Sequence, residues 1–395
     1  MPVTPILPDI DRSVSIEQIS EISDRLTTMM AELREQMLAP RPRKKSPVFG
    51  SGQVALLCGI DRSRLNYLVG KEDIGLPPGV LHGNGRSRSF TLDEAQVWIR
   101  KLSGFPARPA GTPGQILITA NFKGGSTKTT TAMSLAQGLT LRGRKVLVVD
   151  LDPQASLTEL CGLYAERDVE EEDTVMPYIY HDQKDLRYAV KPTYWANLDV
   201  IPANPSLFSA EFVIPSYIIN DPKLRFWEIL ANGLASLRHE YDYIVIDTAP
   251  SLSYLTINAL MASNAMIMPL VPESLDFISS VQFWKLFSDL TQTFMKLDPG
   301  KRFDFISVLL SKVDYGTTSS SRVVRAWAQR AYGDWLLPVE IPASSVVGSE
   351  ALEFATVYDI DSWEGSKKTL SRIKDPFDAF VKIIDERTAQ KWSRS

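Results

Sequence analysis

The sequence predicts an α/β fold: a doubly wound, mostly parallel sheet over residues 115–395, preceded by an N-terminal α-helix and a winged helix-turn-helix domain. Three observations carry this prediction. Short, nearly continuous apolar runs alternate with segments of helical periodicity, as in parallel sheets covered on both faces. Glycine-rich or acidic motifs directly follow several of these runs, where open parallel sheets bind ligands. Proline-rich stretches separate the sheet region from two N-terminal segments, one with helical periodicity and one rich in basic residues.

The central motif is a strand, a loop and a helix over residues 115–143. The apolar run 116–120 suits a strand buried on both faces, and helical spacing follows the loop until Gly143 ends the helix. Gly124 and Gly125 lack a Cβ, so the loop can curl until its N–H groups point inward, in front of the positive end of the helix. This arrangement is typical of a polyphosphate-binding loop.

Two side chains at the end of the loop would complete a phosphate site. Lys128 would lie against the β- and γ-phosphates of a nucleotide, and the Thr129 hydroxyl would ligate Mg²⁺. The alternative is a tight turn that merely needs small residues. The strict Walker A pattern, moreover, requires glycine at the positions of Phe122 and Thr127.

The loop instead matches a deviant form, Lys-Gly-Gly-x-x-Lys-Thr-Thr, with an additional lysine, Lys123, at its front. In this the sequence resembles the deviant-Walker P-loop ATPases, which include MinD, the nitrogenase iron protein and the ParA partition ATPases. The resemblance implies ATP or ADP and Mg²⁺ as ligands, and a homodimer in which Lys123 reaches the partner's phosphates. The nucleotide site that it implies is formed by Lys123, Gly124, Gly125, Ser126, Thr127, Lys128, Thr129 and Thr130.

Two acidic motifs end later strands and resemble those of the same family. The strand 146–149 runs into Asp150, and the resemblance implies that Asp152 positions the attacking water while Asp150 lies near the metal. The strand 243–246 ends in Asp247, the start of a good Walker B motif, whose carboxylate would hold Mg²⁺ through water. The expected catalytic residues are Lys123, Lys128 and Asp152, and the expected metal-binding residues are Thr129, Asp150 and Asp247.

Length and composition restrict the class of protein to which the chain can belong. The chain has 395 residues, long enough for two or three domains. Its apolar runs are too short to span a bilayer and no signal-peptide pattern is present, so we expect a soluble cytoplasmic protein. Cys58 and Cys161 are the only cysteines, too few for a disulfide framework or an iron-sulfur role. Residues 40–108 are basic, with 12 Lys or Arg against 5 Asp or Glu, although the whole chain has a net charge of −4.

Residues 1–39 predict a loose lead-in followed by an amphipathic helix. Apolar residues recur at three- and four-residue steps from Ile16 to Met37. The apolar face of such a helix packs either on its own domain or on the same helix of a second copy of the chain. The resemblance to longer ParA proteins favours the second arrangement, a dimer. The helix is expected to end at Ala39, because Pro40 disfavours helical geometry in the residue before it.

Residues 40–104 predict a DNA-binding domain. After a basic linker, a short helix and a glycine turn precede a second helix capped by Asp61, and a hairpin signal follows at His82–Gly85. The arrangement resembles the MerR-type domain and the corresponding domain of long ParA proteins; the alternative is a helical docking domain with solvated arginines. The residues expected to contact DNA are Arg62, Arg64, Asn66, Arg86 and Arg88. Residues 105–114 predict the linker into the ATPase domain, residues 115–395.

The last part of the chain predicts further strands at 265–270, 305–310 and 336–341. The final helix has an apolar face from Phe377 to Ile384, and its polar face mixes in four acids, which favours packing on the ATPase over binding a membrane. Those acids are Asp375, Asp378, Asp385 and Glu386. This part of the chain also contains basic residues with two possible roles, as solvated surface residues or as contacts to DNA. They are Arg322, Arg325, Arg330, Lys367, Lys368, Arg372 and Lys374.

The whole sequence thus resembles a long-form ParA partition ATPase of low-copy plasmids and prophages. The resemblance implies an ATP-bound dimer that holds nucleoid DNA without sequence preference, and a ParB-type centromere-binding protein that stimulates weak hydrolysis. It also implies operator binding that represses the protein's own operon. Two other classes stay open: a MerR-like transcriptional repressor with nucleotide only as effector, and a MinD-like membrane ATPase.

Overall fold

The computed structural model describes residues 14–38, 44–71, 74–83, 87–297, 300–315, 319–343, 355–359 and 367–393. Arg86, residues 39–43 and the side chains of Lys367 and Lys368 lie outside what the structure describes. Contacts divide the chain into two units, residues 1–45 and residues 46–395, and each is described by itself.

The first unit contains the helix α1 (Ile16–Leu38), where the apolar spacing predicts it. The side chains of Ile16, Ile19, Ile22 and Leu26 along its stripe are between 49% and 79% exposed. The predicted helix is therefore confirmed, whereas the partner of its apolar face stays a prediction.

The second unit begins with a small sheet and three short helices. The strands are β1 (Val48–Gly50), β2 (Val80–His82) and β3 (Ser87–Thr91), and the helices are α2 (Ser51–Leu57), α3 (Arg62–Val69) and α4 (Leu92–Leu102). The strands pair antiparallel in the order β1-β3-β2. Asp61 caps α3, accepting a hydrogen bond from Arg64 N at 2.7 Å. The helices lie where the sequence predicts them, and β2 and β3 flank the predicted turn, whose Asn84 and Gly85 lie outside the described residues. The assignment as a winged helix-turn-helix stays a prediction.

This small sheet and its helices are hydrogen-bonded to the rest of the second unit. The buried Gln96 amide on α4 donates to the Ala196 carbonyl at 2.9 Å. Within the predicted linker, residues 105–114, Arg108 pairs with Asp242 at 2.9 Å. The linker is thus fixed to the domain that follows it, and the domain boundaries stay predictions.

The main sheet contains eight strands: β4 (Gln115–Thr119), β5 (Val146–Leu151), β6 (Lys191–Pro192), β7 (Leu198–Ile201), β8 (Tyr243–Thr248), β9 (Ala265–Leu270), β10 (Phe305–Val313) and β11 (Leu336–Pro342). They lie in the order β11-β10-β9-β4-β8-β5-β7-β6. Neighbouring strands are parallel except the edge strand β6, which is antiparallel to β7. The predicted doubly wound α/β fold is therefore confirmed.

Helices cover both faces of this sheet. They are α5 (Lys128–Thr140), α6 (Ser156–Leu160), α7 (Met176–Ile179), α8 (Ala210–Asn220), α9 (Ile229–Leu234), α10 (Tyr254–Ala262), α11 (Ser274–Leu297), α12 (Ser319–Tyr332) and α13 (Lys367–Trp392). None of the helices in the described part of the chain is long and apolar enough to cross a membrane.

The sheet separates two apolar cores. Successive residues of a strand point to opposite faces, so Leu117 packs in one core with Phe380 of α13, whereas Ile116 and Ile118 pack in the other with Phe283 of α11. Because both faces are covered, ligands reach the sheet at the carboxyl ends of its strands.

The last helix packs on the sheet as predicted, but one residue assigned to its polar face is buried. Asp385 is 1% exposed and accepts hydrogen bonds from Arg142 at 2.7 Å, Arg144 at 2.8 Å and the Tyr243 hydroxyl at 2.8 Å. Burial would raise the pKa of Asp385, but the arginines hold it below its ordinary value. The polar-face assignment was wrong, because two arginines that follow α5 supply the compensating charge.

Candidate nucleotide-binding site

The loop between β4 and α5 forms an open cradle at the edge of the sheet. Gly125 has φ +73°, in the left-handed region that glycine adopts without strain. A Cβ built on Gly124 or Gly125 would meet nothing within 4 Å, so both residues face open space. The cleft has a volume of about 500 Å³. It is lined by Gly124, Gly125, Ser126, Thr127, Lys128, Thr129, Thr130 and Asp152.

Thr127 occupies the position where the strict pattern has glycine, and its backbone still takes the conformation of a glycine. Its φ is +68°, which costs a non-glycine residue about 1–2 kcal/mol. Its hydroxyl donates to the Ser311 hydroxyl, at the end of β10, at 2.8 Å. That hydrogen bond offsets part of the strain, so the loop keeps its curl with threonine in place of glycine.

The two lysines of the loop have different surroundings. Lys128 is buried, and its ammonium donates to the Lys123 carbonyl at 3.2 Å. Burial lowers the pKa of Lys128, while the carboxylates of Asp247 and Asp152 oppose that change. The ammonium of Lys123 instead forms an ion pair with Asp276 in the first turn of α11. Lys128 thus lines the cleft, and Lys123 is held at the front of the loop by Asp276.

Asp247 lies beneath the cradle at the end of β8. Its Oδ1 accepts a hydrogen bond from the Thr119 hydroxyl at 3.0 Å, and its buried Oδ2 has no hydrogen-bond partner among the described residues. Burial raises the pKa of Asp247 to about 6, although the Thr129 hydroxyl and the Lys128 ammonium oppose this rise. A buried carboxylate oxygen without a partner beside a threonine hydroxyl fits a hard divalent cation such as Mg²⁺.

Asp150 lies opposite Asp247 on the neighbouring strand β5. Its Oδ1 accepts from Asp152 N at 3.1 Å, and its Oδ2 accepts from the backbone and the hydroxyl of Thr158 at 2.9 and 2.7 Å. Burial and the Asp247 charge raise the pKa of Asp150 to about 8. Asp150 therefore orients the loop after β5, and its predicted place near the metal stays a prediction.

Asp152 lies at the rim of the cleft, half-buried, as a candidate for positioning water should. Its Oδ1 accepts a local hydrogen bond from Gln154 N at 2.9 Å. Across the cleft, Lys312 donates to the Gly125 carbonyl at 3.2 Å from a strained backbone with φ +50°. Sequence reasoning missed Lys312 and Ser311, although their place directly at the end of a strand was a signal.

The four residues predicted to contact DNA that the structure describes are not among those that line this cleft. Arg62, Arg64 and Asn66 are exposed on α3. Arg88 is half-buried, and its guanidinium donates to the Pro78 carbonyl within the hairpin region. The structure thus presents three of the five predicted residues together on one short helix.

Comparison with known proteins places the sheet among nucleotide-binding folds. Residues 114–297 match the AAA domain family. A protein of Sinorhizobium fredii assigned as replication protein A is 28% identical over 404 residues, covering 100% of this chain and 98% of the relative. The chromosome partitioning protein ParA of Myxococcus xanthus is 36% identical over 162 residues, covering 40% of this chain and 53% of the relative.

A solved structure of similar fold holds a nucleotide and a metal. Cobyrinic acid a,c-diamide synthase from Mycobacterium smegmatis, with bound ATP analogue and magnesium, is 28% identical and covers 69% of this chain and 94% of that chain, with a TM-score of 0.53. The likeness shows that this chain shares the α/β fold of a nucleotide-binding protein.

Proposed function

We propose that this chain is a partition ATPase of the ParA type, which binds ATP or ADP with Mg²⁺ and hydrolyses ATP weakly unless it is stimulated. One observation carries the proposal: Gly124, Gly125 and Lys128 line a single cleft with Asp152 at its rim, and beneath it Oδ2 of Asp247 has no hydrogen-bond partner in the part of the chain that the structure describes. The similarity to a chromosome partitioning protein supports the biological role.

The residues of the cleft would divide the chemistry among them. The loop N–H groups and Lys128 hold the phosphates and offset the charge that develops during hydrolysis. Thr129 and Asp247, and by prediction Asp150, would hold Mg²⁺, which would supply positive charge to neutralise the phosphates. Asp152 would orient the attacking water.

Lys123 gives the proposal its second half, a homodimer closed on two nucleotides. Its side chain is 32% exposed at the front of the cradle, where a facing subunit would approach. In the proposed dimer it reaches the partner's phosphates, so that ATP binding and dimerisation are linked. The loop from Lys123 to Thr130 would therefore serve both subunits.

DNA would be bound in two ways. Arg62, Arg64 and Asn66, with Arg86 and Arg88 on the wing, would read an operator and repress the protein's own operon. The ATP dimer would hold nucleoid DNA without sequence preference, and a ParB-type centromere-binding protein would stimulate hydrolysis and release it. The exposure of the three α3 side chains supports the first activity.

A DNA-binding assay with random and operator duplexes, run with ADP, with ATP and without nucleotide, tests the proposal. We expect operator preference in one state and indiscriminate binding in another. Operator binding that Asp152→Ala leaves unchanged, together with undiminished plasmid stability, would favour the MerR-like repressor. The MinD-like alternative has less support, because α13 buries Phe377 and Phe380 in the core; liposome flotation with ATP tests it.

A further inference from the structure

The ion pair between Lys123 and Asp276 has a consequence for dimer formation. Asp276 lies in the first turn of α11, and its side chain is only 4% exposed. Within the described residues, Lys123 is the only cation in ion-pair contact with Asp276. Beside the positive end of α11, the Lys123 ammonium therefore supplies the charged side chain that compensates this buried carboxylate.

The surrounding loop is fixed, so the lysine side chain is the part that can move. Lys123 N donates to the Asn121 side chain at 3.1 Å, and the Asn121 amide donates to the Pro269 carbonyl of β9 at 2.8 Å. The Lys123 carbonyl accepts the Lys128 ammonium at 3.2 Å. Backbone and ammonium of Lys123 are therefore tied to different elements, and only the ammonium can leave without disturbing the cradle.

We propose that Asp276 is a positioning residue that holds Lys123 away from the nucleotide until a second subunit closes on the cleft. The inference rests on the proposed nucleotide-bound dimer. A triphosphate carries several negative charges, so it can compete with one carboxylate for the ammonium. Until it does so, the ion pair opposes dimerisation, because closing the dimer leaves Asp276 without its partner. A lone subunit is thereby kept from presenting its lysine.

Asp276→Asn removes this opposition while keeping the size of the side chain. Both subunits of a dimer must release their lysine, so the gain per subunit enters the dimerisation constant twice. We expect self-association with a non-hydrolysable ATP analogue and Mg²⁺ to tighten about tenfold or more. Analytical ultracentrifugation over a dilution series measures it. Asp276→Ala removes the same charge and carries the same expectation should the asparagine variant fold poorly.

Two controls separate release of the lysine from a general change of charge or packing. Asp289→Asn makes the same substitution at an exposed position of the same helix and should leave the constant unchanged within about twofold. In a Lys123→Ala background there is no lysine to release, so adding Asp276→Asn should have no effect.

The outcomes are distinct. Tighter association that disappears in the Lys123→Ala background supports the inference. Association of Asp276→Asn equal to or weaker than wild type, or a gain that persists without Lys123, overturns it while leaving the proposed function intact. A wild-type chain that binds the analogue and stays monomeric at every concentration would overturn the proposed dimer, and this inference with it.

Discussion

Replacing Asp247 by asparagine should stabilise the protein while abolishing its activity. Burial raises the pKa of Asp247 to about 6, roughly two pH units above the value in an unfolded chain. At about 1.4 kcal/mol per unit, the ionised carboxylate lowers the free energy of unfolding by about 3 kcal/mol at pH 7. Asparagine can keep the hydrogen bond from the Thr119 hydroxyl at 3.0 Å. It places an amide where Oδ2 has no partner, which costs about 1–2 kcal/mol.

The net expectation is that Asp247→Asn raises the free energy of unfolding by about 1–2 kcal/mol at pH 7 without nucleotide. This pH dependence is opposite to that of most aspartates. Because the pKa of Asp247 is raised in the folded protein, its ionisation destabilises the fold above about pH 6, and this penalty disappears as the pH falls towards the unfolded pKa near 4. Urea unfolding with EDTA at pH 7 and at pH 4.5 measures both. The same variant should show no Mg²⁺-dependent ATP hydrolysis.

Asp152→Asn is the matched control, since Asp152 lies at the rim of the same cleft and is half-buried. We expect it to change the free energy of unfolding by less than about 0.5 kcal/mol. Destabilisation by Asp247→Asn at pH 7, or a gap from wild type that is as large at pH 4.5 as at pH 7, would refute this reasoning.

Substitutions at three further sites, Thr127, Asp385 and the two loop lysines, test other parts of the structure. Thr127→Ala keeps the left-handed strain and loses the hydroxyl hydrogen bond, so urea unfolding should show that the free energy of unfolding falls by about 1 kcal/mol. Thr127→Gly should stay near wild type. Equal effects of the two substitutions would contradict the strain at Thr127. Asp385→Asn leaves two buried arginines uncompensated and should destabilise by about 3 kcal/mol at neutral pH, with Glu386→Gln as an exposed control below about 1 kcal/mol. The destabilisation by Asp385→Asn should shrink as the pH falls below about 4. The pKa of Asp385 is lowered in the folded protein, so its carboxylate stabilises the fold above that pH. Lys128→Ala should abolish nucleotide binding in calorimetry, whereas Lys123→Ala should keep it measurable and impair turnover; equal, undiminished turnover would contradict these roles.

The phosphate loop was predictable because its chemistry is local. Glycines that let a backbone curl, followed by a lysine at the start of a helix, occupy consecutive positions, so Gly124, Gly125 and Lys128 identify the cradle without knowledge of the rest. The strands were predictable for a related reason, since burial on both faces demands a continuous apolar run. The antiparallel edge strand β6 escaped notice, because Lys191 and Pro192 form no such run.

The contacts that distinguish one lysine from the other were not predictable. Asp276 follows Lys123 by 153 positions along the chain, and nothing in the helix around it indicates a buried ion pair. Ser311 and Lys312 reach the loop from β10 in the same way. Asp385 appeared to belong to a solvated face because Arg142 and Arg144, which compensate its charge, precede it by 243 and 241 positions along the chain.

Local sequence patterns were enough to predict the strands of the main sheet other than β6, the glycine loop and the acidic residues that end the strands, since each depends on neighbours within a few positions. Three properties became visible only in the folded chain: which carboxylates are buried, which of them lack a hydrogen-bond partner among the described residues, and where the ammonium of Lys123 is held. Those properties depend on charges and hydrogen bonds brought together from distant segments, and the free energy of a buried charge is set by the atoms that surround it.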